Sequence, residues 1–281
     1  MAAVVLLGQV VVADEGGDEL RVLCFNLRYI NDGDRGDRTW TARRDGVAAV
    51  ILEDKPDLIG IQEGLRPMLD DVQARVPGFF EIGGGREDGL AKGEAAPIFA
   101  RADRFTVLKS GTFWLSDTPE VVASATWGNQ VTRICTWARL YDRKAKRELW
   151  FFNTHLDHES DLARANGVKL ILQRIGETGA KGPFVFTGDF NALPENPLHE
   201  AILTSPQGLK DVWLELNPEA TPAESGTAHG FSGRKDGIRI DYVYASDSFR
   251  FVSAEVLQEP VGGIYPSDHY PVRVTLGYPG R

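Results

Sequence analysis

Apolar residues cluster along this chain in two rhythms. Short apolar runs bounded by polar or glycine-rich segments read as buried strands: 20–25 (LRVLCF), 57–62 (DLIGIQ), 97–100, 105–113, 132–141, 148–154 (ELWFFNT), 183–187 (PFVFT), 238–244, 249–257 and 270–276. Between them lie stretches with helical spacing. Residues 39–53 (TWTARRDGVAAVILE) predict a helix that starts near Asp37 or Thr39. Residues 65–76 put Leu65, Met68, Leu69, Val72 and Val76 on one face, with Pro67 in the first turn. Residues 161–177 do the same with Leu162, Ala165, Val168, Leu172 and Ile175, and 198–204 is a short helix. Residues 83–95 (GGGREDGLAKGEA) form a glycine-rich, charged loop. No linker or internal repeat interrupts the series. The pattern predicts one α/β or α+β domain over residues 20–281, with at least eight strands in two packed sheets and helices outside.

Composition adds limits. The 281 residues carry 31 Lys and Arg against 40 Asp and Glu, a net charge of −9. Such a surface is a poor platform for stable nucleic-acid binding, which needs phosphate-neutralising cations. Cys24 and Cys135 each sit among apolar residues and read as buried thiols, and two cysteines cannot build a disulfide framework or a multi-cysteine zinc site. Residues 3–12 (AVVLLGQVVV) are too short to span a membrane but have the length of a signal-peptide core, with an acceptable cleavage pattern at Val11-Val12-Ala13. No basic residue precedes Arg21, so residues 1–19 read as the remnant of an export signal, and export is slightly favoured over the cytoplasm. A monomer without a transmembrane segment is expected.

The informative polar residues stand where apolar strands end. Asn26 follows 22–25, Glu63 follows 59–62, His155 and Asp157 follow 150–154, and Asp189 and Asn191 follow 184–188. Asp241 interrupts an apolar run, and Asp268 and His269 precede the last strand. Singly, each has an ordinary explanation: a turn residue, a backbone cap, a satisfied core histidine. Jointly they suggest one shared edge of the fold on rigid supports. Glu63, Asp189 and Asp268 are hard oxygen donors, and Asn26 and Asn191 add amide oxygens. That set suits Mg²⁺, Mn²⁺ or Ca²⁺, and imidazoles beside it suit a phosphate.

These segments also carry a family resemblance. Phe25-Asn26-Leu27, Ile61-Gln62-Glu63, Asn153-Thr154-His155-Leu156-Asp157, Gly188-Asp189-Phe190-Asn191, Ile240-Asp241-Tyr242-Val243 and Ser267-Asp268-His269-Tyr270-Pro271-Val272 occur in the order found in the endonuclease/exonuclease/phosphatase superfamily, which the chain resembles over residues 20–276. The resemblance implies a DNase I-like, four-layer β-sandwich flanked by helices, and a phosphoester substrate hydrolysed by in-line water attack with one or two Mg²⁺ or Mn²⁺ ions. It implies that Glu63 is the principal metal ligand, with Asn26 and Asp268 holding the metal directly or through water. Asp189 would orient or deprotonate the attacking water, and Asn191 would position it. His269 would contact phosphate with Asp241 fixing its tautomer, and His155 would donate to another phosphate oxygen.

The substrate is narrowed less. A phosphodiesterase or phosphatase acting on a small, lipid-derived or sugar-derived phosphoester leads; a nuclease and an inactive phospholigand-binding module are the alternatives. Segment 264–269 (IYPSDH) departs from the signature of phosphoinositide 5-phosphatases. Trp114 and Trp127 are candidates for a membrane-facing hairpin, though such aromatics are more often packed. Arg133 lies in an apolar stretch and needs an anionic partner, either a phosphate or a structural carboxylate. Asp157 and His158 are further candidates for the substrate pocket, as is the 83–95 loop. His155-x-x-His158 lacks the soft ligands that would complete a zinc site. Arg43, Arg44 and the 143–147 run are expected to be solvated.

Overall fold

In a computed structural model, residues 19–278 are described; the expected export signal lies almost wholly outside them. Twelve strands follow in chain order: β1 Glu19–Asn26, β2 Leu58–Gln62, β3 Phe79–Ile82, β4 Ile98–Arg101, β5 Phe105–Trp114, β6 Ile134–Asp142, β7 Arg147–His155, β8 Phe184–Asp189, β9 Leu209–Asp211, β10 Asp241–Ser246, β11 Arg250–Val256 and β12 Val272–Gly277. The helices are α1 Trp40–Asp54, α2 Arg66–Arg75, α3 Asp161–Glu177, α4 Pro197–Leu203, α5 Val212–Leu216 and α6 Pro222–Ser225. One six-stranded sheet has the order β11-β12-β1-β2-β4-β3, the other β5-β6-β7-β8-β10-β9. The central neighbours β1 and β2 run parallel, as do β7 and β8.

Strand alternation builds the layers. Val22 and Cys24 of β1 point between the sheets and pack with Ala138, Phe151, Val185 and Val243 of the other sheet. Leu23 and Phe25, on the opposite face of the pleat, pack with Trp40, Val47, Met68 and Val72 of α1 and α2. In β7, Phe151 enters the central core, while Phe152 joins Val168, Ile171 and Ile175 of α3. Each such side chain contributes about 1.5–3 kcal/mol by leaving water. The four layers are therefore helix, sheet, sheet and helix, as expected.

At the end of the sandwich where β1, β2, β7 and β8 finish, apolar packing gives way to a polar tie between the sheets. Fully buried Asn153 accepts from the Gln62 amide at 2.7 Å and the Thr187 hydroxyl at 2.9 Å. Its own NH₂ donates to the carbonyls of Ile61 at 2.7 Å and Pro97 at 2.9 Å. Position 60 must be glycine for this tie to fit, since a Cβ there would lie 2.1 Å from Thr187 Oγ1.

The structure corrects several expectations, among them the inner face of α3: Leu162 and Ala165 are exposed, and Ala163, Gly167 and Ile171 are buried with Val168 and Ile175. The short strands β3 and β9 and the helices α5 and α6 were not read from the pattern. The strand expected at 238–244 begins only at Asp241, so this residue opens the strand instead of interrupting it. Arg43 is not solvated: it is 1% exposed and donates to the carbonyls of Leu27, Arg28, Arg38 and Pro266. Trp114 is buried with its indole N–H on the Arg86 carbonyl, and half-buried Trp127 donates to Asp117, the packed placement that is commoner for such aromatics. Both cysteines are free and buried, as expected. Among the described residues, no helix is long and apolar enough to cross a membrane.

Candidate active site

Strand direction gathers the candidate residues. Asn26, His155 and Asp189 are the last residues of β1, β7 and β8, and Glu63 immediately follows β2. Asp241 opens β10, antiparallel to β8, and pairs with Asp189; on the other side Asp189 pairs with His155. Asp268 and His269 lead into β12, antiparallel to β1. Parallel strands thus deliver their carboxyl ends, and antiparallel strands their beginnings, to one edge of both sheets.

The side chains meet there. The Asn26 NH₂ bridges Glu63 Oε1 at 3.0 Å and Asp189 Oδ2 at 2.9 Å, while its oxygen accepts from the Arg28 backbone N–H. In this arrangement Asn26 holds the two carboxylates together. The other Glu63 oxygen accepts from the Tyr29 N–H at 2.9 Å. Asp241 Oδ2 holds His269 Nδ1 at 2.8 Å. Asn191 Nδ2 lies 3.0 Å from His155 Nε2 and donates to the Leu156 carbonyl. The turns are strained to achieve this: Arg28, Glu63 and Asn191 have φ of 55°, 60° and 47°, left-handed values that cost a non-glycine residue about 1 kcal/mol or more each.

Electrostatics sort the groups. Burial and the Asp241 charge push the Asp189 carboxyl up to about 7. Burial, and the charge of Glu63, also raise Asp268, against the pull of His269. Burial alone would lower the His269 imidazole, but Asp241, Asp189 and Asp268 hold it well above its ordinary value. His155 moves the other way: burial, then Arg133 and Arg86, push it well below. With the Asn191 amide donating to His155 Nε2, the imidazole proton sits on Nδ1. The two imidazoles are thus pushed in opposite directions beside a concentration of buried carboxylates.

That concentration fits a divalent cation. Ligand atoms of Glu63, His155 and Asp189 lie within 4.8 Å of one another, as do those of Asp189, Asp241 and His269. Raised carboxyls that share a buried cluster are stabilised by a hard cation and disfavoured without one.

The model of the endonuclease/exonuclease/phosphatase family matches residues 23–269. This chain belongs to that family. A family protein from Bacteroides vulgatus is 33% identical, with a TM-score of 0.85 over 92% of this chain and 99% of that one. A mannosyl-6-phosphatase from Bacteroides thetaiotaomicron is 33% identical, with a TM-score of 0.83 over 92% of this chain and all (100%) of the other. The human nocturnin catalytic domain, at 18% identity and a TM-score of 0.73, shares the fold. No curated protein matches. The family comprises metal-dependent phosphoesterases.

Within this phosphoesterase scaffold, eight of the candidate residues converge: Asn26, Glu63, His155, Asp189, Asn191, Asp241, Asp268 and His269. The other three stand to one side, beyond His155. Arg133 is 5% exposed, with Nη2 3.0 Å from His158 Nδ1 and Nε 3.8 Å from Asp157 Oδ2. Asp157 Oδ1 caps the turn into α3 by accepting from the Glu159 and Ser160 N–H groups. His158 is half-exposed, its side chain at 52%.

Several contributors were not read from the sequence. Glu94 reaches 3.7 Å from His155 Nδ1 and is held by Arg86 at 2.8 Å, so the 83–95 loop does border the pocket. Arg28 stands 3.6 Å from Asp268. Arg43 ties the chain after Asn26 to Pro266, just before Asp268. Its helical spacing with Trp40 and Val47 was the available signal.

Proposed function

We propose that this family member hydrolyses a small phosphoester, with Mg²⁺ or Mn²⁺ held principally by Glu63, and that a sugar-derived phosphoester is its substrate class. The observation that carries the reading is the meeting of Glu63, Asp189 and the Asp241–His269 pair at one sheet edge. The sugar class is supported by the mannosyl-6-phosphatase at 33% identity.

Glu63 would hold the cation, with Asp268 nearby and Asn26 aligning the carboxylates, and a bound cation would neutralise and orient phosphate oxygens. The chain's own residues do the rest. Asp189, buried and held at 2.9 Å by the Asn26 amide, accepts a proton from the attacking water. The new bond forms from water oxygen to phosphorus, the bond to the ester oxygen breaks, and the departing alkoxide takes a proton from solvent while Asp189 returns its own to solvent. Asp241 fixes the Nδ1 proton of His269, which leaves Nε2–H to stabilise the added negative charge.

The test is metal-supplemented turnover of p-nitrophenyl phosphate, bis-p-nitrophenyl phosphate and plasmid DNA by the wild type, Glu63→Ala and His269→Ala. The variants should keep the fold by circular dichroism and lose about 10²–10³-fold in turnover. Near-normal turnover of Glu63→Ala would refute the metal assignment. DNA cleavage far faster than the small esters would make the protein a nuclease.

A further inference from the structure

Behind His155 lies a small void of ≈ 10 Å³ where Arg86, Glu94, Arg133 and His155 meet the apolar Ala95, Ala96 and Ile134. It holds about one oxygen atom or one water, not a whole phosphate. Two of the residues around it hold buried donors without acceptors. Arg133 Nε and Nη1 and His155 Nδ1 are buried and make no hydrogen bond among the described residues. The acids nearby do not answer them. Glu94 is engaged by Arg86 at 2.8 Å and stands 3.7 Å from His155 Nδ1. Asp157 Oδ2 is 3.8 Å from Arg133 Nε, beyond hydrogen-bond distance, and is itself without a donor. A buried guanidinium with two unmet donors is costly unless an anionic oxygen completes it.

His155 is the wall shared with the catalytic cluster, since its Nε2 lies 3.6 Å from Asp189. We infer that Arg133, with the Nδ1 proton of His155, forms a subsite for one non-bridging oxygen of the substrate phosphate, and that it selects a phosphomonoester dianion over a phosphodiester. The inference rests on the phosphoester reading above and narrows it. A monoester carries three non-bridging oxygens and a second negative charge at neutral pH. A diester has two such oxygens and one charge, and lacks the third oxygen to fill this void. Arginine suits the task because its charge persists on burial and its donors are fixed in a plane.

The experiment compares wild type, Arg133→Gln and Arg133→Lys with Mn²⁺ saturating. It measures kcat/KM on p-nitrophenyl phosphate and on bis-p-nitrophenyl phosphate, and inorganic phosphate binding by calorimetry. The wild type should favour the monoester. Arg133→Gln should lose about 10- to 100-fold on the monoester and in phosphate affinity, with the diester changed less than about threefold. Arg133→Lys should recover part of both. A wild type that prefers the diester overturns the proposal without reference to any variant. Equal losses on both esters, or phosphate affinity unchanged in a folded Arg133→Gln, also overturn it. If no ester is hydrolysed but phosphate binds and depends on Arg133, the subsite stands and the catalytic reading fails.

Discussion

Asn153 offers the sharpest test of how the scaffold supports its site. Replacing it with alanine removes four hydrogen bonds at the point where the two sheets meet. The loss is partly buffered. The Gln62 amide keeps the Gly60 carbonyl at 3.2 Å, Thr187 keeps the Phe152 carbonyl at 3.4 Å, and the Pro97 carbonyl keeps the Ile61 N–H at 3.1 Å. A buried polar group left without a partner costs about 1–3 kcal/mol, and these groups lose their better partner but not every one. Together with the lost packing, Asn153→Ala should cost about 3 kcal/mol. That is a large share of the 5–15 kcal/mol by which ordinary proteins are stable. Urea denaturation reads it directly: at a slope of about 2–3 kcal/mol/M the midpoint falls by roughly 1 M. Asn153→Asp keeps the volume but turns two donors into acceptors that face carbonyls. Its carboxyl would be raised in the folded state, so this variant should regain stability as pH falls and the group protonates. A loss below about 1 kcal/mol in Asn153→Ala would refute the claim that this tie holds the strand ends in register.

Two further predictions follow from buried groups. Arg43→Met should destabilise the fold by about 3 kcal/mol or more, because four carbonyls lose a charged donor, and should weaken Mn²⁺ affinity by loosening the chain before Asp268; a variant with wild-type affinity would dissociate the guanidinium from the site. His229 is pushed down to about 4, first by burial and then by His269, and burial also lowers His199. Because the unfolded chain protonates these imidazoles near 6.5 and the native one does so only lower, their contribution to stability is intact above about 6.5 and declines as pH falls towards 4. His229→Phe should flatten part of that decline in melting temperature, and an unchanged slope would contradict it.

The site was legible because its residues stand at the ends of strongly apolar strands. Once β1, β2, β7 and β8 are recognised, Asn26, Glu63, His155 and Asp189 must share an edge if the strands share a direction. What escaped was short or irregular. With three and four residues, β9 and β3 show too little alternation to distinguish them from loops. Glu94 and Arg28 reach the pocket from loops, where no periodicity tells which way a side chain points. Arg43 was misjudged on residue type alone, although its position on the apolar stripe of α1 placed it inward. Charge was a poorer guide there than spacing, because a guanidinium can be buried wherever backbone carbonyls converge on it.

The central claim is that one cation and one phosphate share the strand-end cluster. Anomalous diffraction from crystals soaked with Mn²⁺ and inorganic phosphate tests it most directly. A manganese peak in contact with the Glu63 carboxylate, with phosphate beside it against His269, is the expected result. Manganese bound away from Glu63, or phosphate seated on another face of the molecule, would contradict the account.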